Sequence, residues 1–119
     1  MTYRTLKPYV VELTTTDATA TAAIVGGTSP GDRIKVNSFY PVNMLVSAVS
    51  GATTDAWEIK ALVTKGATDS SIALSDVQIN QLGSTGWSAA PSVDTLFGTL
   101  TATVTGAAST EIQWTITVS

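Results

Sequence analysis

The chain has no cysteine and no histidine among its 119 residues. Without cysteine there is no disulfide, no thiolate nucleophile and no sulfur-ligated zinc. Without histidine there is no Ser-His-Asp triad, no HExxH metal site and no side chain that titrates near neutral pH of its own accord. Charge is scarce too. Asp, Glu, Lys and Arg make up 13% of the chain, against about 25% in an average domain. Six Lys plus Arg against nine Asp plus Glu leave a net charge of −3, which argues against a nucleic-acid partner because phosphate backbones need a basic face. The acids are spread singly, with no DxD pair and no calcium loop. No GxxxxGK[ST] or GxGxxG phosphate loop occurs. A carboxylate-only hydrolase is the one enzyme class left open, and the scattered acids speak against it. The chain therefore reads as non-enzymatic, with no catalytic residue, metal or cofactor. The longest apolar stretches, 42–49 and 96–104, are interrupted and fall short of the roughly 20 residues a membrane span needs, so no membrane partner is expected. The start, Met-Thr-Tyr-Arg-Thr-Leu-Lys-Pro, lacks the apolar core of a secretory leader.

What is present is apolar and hydroxyl-rich. Hydrophobic residues reach 44%, which excludes disorder, and the length gives one domain. A folded chain of 12.3 kDa should expose roughly 6,100 Å². Thr contributes 21 residues and Ser 12, and they alternate with Val, Ile, Leu, Ala and Trp. Thr is β-branched and suits the solvated face of a pleated sheet. Strict alternation is the sign of half-buried strands. Ile112, Trp114, Ile116 and Val118 share one face, with Gln113, Thr115 and Thr117 opposite. Leu96, Leu100, Ala102 and Val104 share another, opposite Thr99, Thr101 and Thr103. Trp57, Ile59, Ala61 and Val63 form a third inward set, opposite Glu58, Lys60 and Thr64. Val42, Met44, Val46 and Ala48 form a fourth, and Leu45 and Val49 make that strand apolar on both sides, so it should be central or covered by a partner. Weaker strands are expected at 10–16, 19–25, 33–38 and 72–82. Breakers at Gly26-Gly27, Ser29-Pro30-Gly31-Asp32, Gly51, Gly66, Gly83 to Gly86, Pro91 and Gly106 separate them. About eight strands with turns at this spacing predict an all-β, antiparallel, jelly-roll-like sandwich over residues 9–119. Residues 1–8, with Arg4, Lys7 and Pro8, predict a short extended N-terminal arm.

Three stretches resemble a known family. The first, 46–63, is a strand, a small loop and a strand opening on Ala56-Trp57-Glu58-Ile59. The second, 98–118, has Val104-Thr105-Gly106, a small-residue loop and Ile112-Gln113-Trp114. The third is Glu12-Leu13-Thr14-Thr15-Thr16-Asp17-Ala18-Thr19-Ala20-Thr21, with Ala20 where Pro is commoner. Together they resemble the jelly-roll β-sandwich of tailed-bacteriophage structural proteins, found in capsid decoration (cement) proteins and tail-fibre heads. The resemblance implies a homotrimeric virion component without catalysis. Read as a decoration protein, the chain would sit on the outer capsid surface and stabilise the shell by binding the major capsid protein, with multivalency strengthening each weak contact. The alternative is a tail-fibre or adhesin head that binds a host receptor or glycan.

On that reading Tyr3, Arg4, Leu6 and Tyr9 are candidates for the capsid contact. Trp87, in a Gly- and Ser-rich loop, caps the end of the sandwich, forms a trimer contact or stacks on a sugar. Phe39 and Tyr40 anchor a turn or join the trimer contact. Trp57 and Trp114 are core residues. Arg33, Lys35 and Asp32 mark a solvated strand face, and Asp55 with Glu58 reads as a polar loop rather than a cation site. A Thr-rich sheet with few charges has poorly protected edges, which also favours an oligomer.

Overall fold

The computed structural model describes residues 1–26 and 34–119. The predicted turns at Gly26-Gly27 and Ser29-Pro30-Gly31-Asp32, and the strand-face position of Arg33, fall wholly or partly outside the described residues. Among these residues nine strands form: β1 (Thr2–Tyr3), β2 (Tyr9–Thr15), β3 (Thr21–Gly26), β4 (Ser38–Ser50), β5 (Thr53–Lys65), β6 (Ala73–Gln81), β7 (Ser88–Asp94), β8 (Thr99–Thr105) and β9 (Ile112–Val118). Among the described residues the helical content is one 3-10 turn, Asp69–Ser71.

The strands make two sheets. The larger has the order β2-β9-β4-β5-β6, with β1 added to β4; the smaller has the order β3-β8-β7. All pairings are antiparallel except β1 with β4. β2 lies against β9 and β3 against β8, which are the two outer wraps of a jelly roll. The inner wrap departs from that scheme, because β4, β5 and β6 run as a meander in one sheet.

The inward residues of both sheets interleave into a single core. Val42, Met44, Val46 and Ala48 of β4, Trp57, Ile59 and Val63 of β5, and Ile112, Trp114, Ile116 and Val118 of β9 meet Val25, Ala89, Leu100, Ala102 and Val104 of the smaller sheet. The alternation of sequence thus becomes alternation of burial, most plainly in β4 and β9. β4 is central, with β5 on one side and β9 and β1 on the other. Its outward Leu45 and Val49 remain exposed.

Several expectations are corrected. Leu96 does not join the inward set of β8. It sits in the turn before that strand and is 77% exposed. Thr99 and Thr101, expected on the wet side, are buried because β8 is the middle strand of its sheet. Pro91 does not break a strand. It lies within β7, an edge strand, where a missing ladder donor is tolerated. Phe39, Tyr40 and Pro41 anchor no turn; they belong to β4. The described part of the 33–38 strand, up to Ser38, is a loop with Asn37 in the left-handed region.

Pro41 has a specific place. Phe39 O accepts from Arg4 N, and Asn43 exchanges both backbone bonds with Ser119. Pro41 faces the same way by the two-residue repeat, at the point where β1 has ended and β9 has not begun. Its missing N–H therefore costs no bond.

Candidate functional site

Two charged side chains fall at inward positions of β5, one at each end of its apolar row. Asp55 is 6% exposed. Its Oδ1 accepts from the backbone N–H of Ala56 and Gly83, both at 2.8 Å. Its Oδ2 accepts from Gln81 Nε2 at 2.6 Å, from Thr85 N at 3.2 Å and from Thr85 Oγ1. Burial acts to raise the pKa of this carboxyl. The hydrogen bonds of Thr85, Gln81, Ala56 and Gly83 outweigh it and bring the value from 3.8 down to about 2. Gly83 is needed for this approach, since a Cβ there would lie 2.4 Å from Asp55 Oδ1. Asp55 thus ties the loop between β6 and β7 to β5. Glu58 lies on the opposite face by parity, so the two acids do not meet. Among the described residues no group of His, Cys, Asp or Glu is placed to hold a metal ion.

Lys65 ends the same row and is 1% exposed. Its Nζ donates to Ile34 O at 3.0 Å and Gly98 O at 3.2 Å, and pairs with Asp69 Oδ1 at 2.7 Å. One ammonium therefore joins three separate chain segments at one end of the sandwich. Above it the turn between β7 and β8 is fixed by Asp94, whose Oδ1 accepts from Leu96 N and Phe97 N. Leu96 and Phe97 point outward from this turn.

The predicted contact residues are divided by the structure. Leu6, Tyr40 and Trp87 are buried in the protomer's own core. Trp87 packs on Trp114 with centroids 6.2 Å apart, and Trp114 stacks on Trp57 at 5.5 Å. Tyr40 presents its hydroxyl as acceptor to Lys35 N. Arg4 Nε donates to Ser38 Oγ, and Arg4 N to Phe39 O. Tyr3 and Tyr9 are exposed. Tyr3 and Phe39, assigned separately to capsid and trimer, come together with ring centroids 5.7 Å apart. The segment expected to be an arm is built into the larger sheet, through β1 and through Leu6 beneath it.

The outward face of the larger sheet presents its own pattern. One row runs across five strands as Val10, Thr117, Leu45, Glu58 and Asn80. Leu82 lies one row further along the sheet and Val49 two, while Leu62 lies two rows the other way, opposite Pro41. A shallow hollow of about 250 Å³ among Pro41, Asn43, Lys60, Leu62, Asp76 and Gln78 marks the bulge in β6. A depression of about 530 Å³ at the other end, between the 50–51 and 109–111 turns, is lined by a single acid, Glu111. Neither brings two carboxylates together.

No protein-family model and no curated protein matches the sequence. Among solved structures the chain is similar to the tailspike protein of Acinetobacter phage vB_ApiP_P1, with 20% identity and a TM-score of 0.41 over 91% of this chain and 21% of the tailspike. The chain spans about a fifth of that tailspike's length.

Proposed function

We propose that this chain is a non-enzymatic structural domain of a tailed-bacteriophage virion, working as a head domain of a tail fibre or tailspike that contacts a receptor or glycan on the host surface. Copies of the chain assemble, three together in the arrangement that the family resemblance implies. The observation that carries the choice over a capsid decoration protein is the N-terminal segment. A decoration protein read from this sequence would reach its shell with residues 1–8. Here Thr2 N bonds to Asn37 O and Arg4 N to Phe39 O of β4, Arg4 also bonds to Ser38, and Leu6 is in the core, so that reach is not available. The non-catalytic reading is supported by the state of Asp55, the acid with the displaced pKa. Both of its oxygens are saturated by donors of its own chain, which suits a clamp and not a general base.

Decoration of the capsid is the second reading. The exposed Tyr3, with Phe39 beside it, favours it as a compact aromatic contact on a rigid body. Immunogold labelling with antibody to this chain, on phage particles produced from the genome that encodes it, separates the two. Gold at the tail tip is the expected result. Gold spread over the head establishes the second reading, and unlabelled particles overturn both.

A further inference from the structure

The outward face of the larger sheet carries more exposed apolar surface than a solvated sheet needs. Strands with one wet face alternate apolar and polar residues. β2 and β4 break that rule on the wet side, with Val10 59%, Leu45 49% and Val49 38% exposed, and Leu82, just past the end of β6 and bonded to Ala56 O, is 56% exposed. Leu45 and Val49 are held on β4, which is paired on both sides by β5 and β9, so their backbone is ordered before any partner arrives, which lowers the entropy lost on binding.

The size of the face limits what covers it. The molecule measures 44 × 23 × 21 Å, with the 13-residue strands β4 and β5 along its length. Covering the sheet face hides on the order of 800 Å², the share each partner contributes to a standard specific interface. Either end of the sandwich, including the one bearing Leu96 and Phe97, offers a cross-section of only 23 × 21 Å, which is too small for a stable contact of that class.

Charge indicates the occupant. Glu58 and Lys60 stand two residues apart on this face, and among the described residues neither has an ion pair. A partner of one charge sign would leave one of them facing its like. A copy of this chain supplies the same two groups, so each charge finds its opposite across the contact.

We infer that copies of this chain associate through the outward face of the larger sheet, with Leu45, Val49, Val10 and Leu82 as the apolar contact and Glu58 and Lys60 as the pairing charges. The inference deepens the assembly part of the proposed function and rests on it only there. Virion labelling tests the setting, and the mass of the purified protein tests this surface, so the two fail separately.

The test is sedimentation equilibrium on the purified full chain from 5 to 200 µM. The expected mass is a multiple of 12.3 kDa. Leu45→Lys with Val49→Lys should return it to one protomer, with an unchanged far-UV spectrum because both side chains lie outside the core. Glu58→Lys should weaken association at least about tenfold, the effect of setting like charges in contact. Glu58→Lys with Lys60→Glu should restore it. As the control at the molecule's end, Leu96→Ser with Phe97→Ser should leave the mass unchanged. A mass of one protomer throughout overturns the inference. So does an oligomer that survives the Leu45 and Val49 substitutions, or one that is lost with the Leu96 and Phe97 pair.

Discussion

Asp55 and Lys65 show how a single side chain fixes a loop that has little apolar surface of its own. Both occupy the inward parity of β5, in series with Trp57, Ile59, Ala61 and Val63. The sequence reading placed Asp55 in a polar loop with Glu58, whereas β5 begins at Thr53 and carries Asp55 inward; only the parity of the two residues was legible. Their partners were not, because Gly83, Thr85, Ile34 and Gly98 come from other strands and loops. Asp55→Asn leaves donors facing donors, and unfolding in urea should show a loss of about 3 kcal/mol. The pH dependence follows from the depressed pKa. The unfolded chain takes up the proton near 3.8 and the folded one near 2, so the stabilisation is complete above about pH 5 and declines as pH falls from about 4 to 2. Asp55→Asn should flatten that part of the stability profile, and a slope identical to wild type would remove the clamp assignment. Gly98 is the second residue to test. Its φ is +66, and a Cβ there would lie 2.6 Å from Lys65 Nζ and 3.0 Å from the Asp69 Cα. Gly98→Ala should cost at least about 2 kcal/mol in the same assay, with the loss reduced when Lys65 is replaced by Met in the double variant.

At the scale of elements, the N-terminal segment differs most from the sequence reading. Composition and Pro8 mark an extended stretch, and extended it is. Whether it extends away from the body or along it depends on an open stretch of β4 edge before β9 begins, and this is a property of the assembled sheet. Removing residues 1–8 takes away β1 and Leu6 together. Thermal unfolding should show a stability loss of about 3 kcal/mol, close to that of Leu6→Ala with the segment present. A truncated chain as stable as the full one would mean that the segment adds nothing to the sandwich. Trp114 plays the corresponding part between sheets. It stacks on Trp57, touches Trp87 and donates its indole N–H to Thr15 Oγ1 at 2.8 Å. Trp114→Phe should cost about 2 kcal/mol through the lost bond and the smaller ring. The near-ultraviolet circular dichroism of the stacked indoles should weaken in step. An unchanged spectrum would show that the stack is not populated in solution.

For the whole molecule, the pairing of β2 with β9 joins residues 9 to 15 with 112 to 118. Closing so large a loop before its contacts form is entropically costly, so refolding should proceed in milliseconds to seconds, as for other sandwiches. Stopped-flow tryptophan fluorescence measures it, since the three tryptophans meet only in the closed core. A microsecond phase carrying the full amplitude would contradict this topology. The accessible surface of 6270 Å² lies close to the roughly 6,100 Å² expected for a compact chain of this mass.

By itself the sequence determined the all-β class, the inward rows of β4, β5 and β9, and the absence of histidine and cysteine chemistry, because a period of two and a missing residue type are local facts. The tertiary structure alone decided which strands became neighbours. It turned Leu6, Tyr40 and Trp87 inward, held Tyr3 against Phe39, and left Leu96 and Phe97 on a turn in water. Such outcomes depend on which segments compete for the same edge or the same part of the core. Alternation names the face of a strand a side chain takes, but only the packed sheets determine whether anything covers that face.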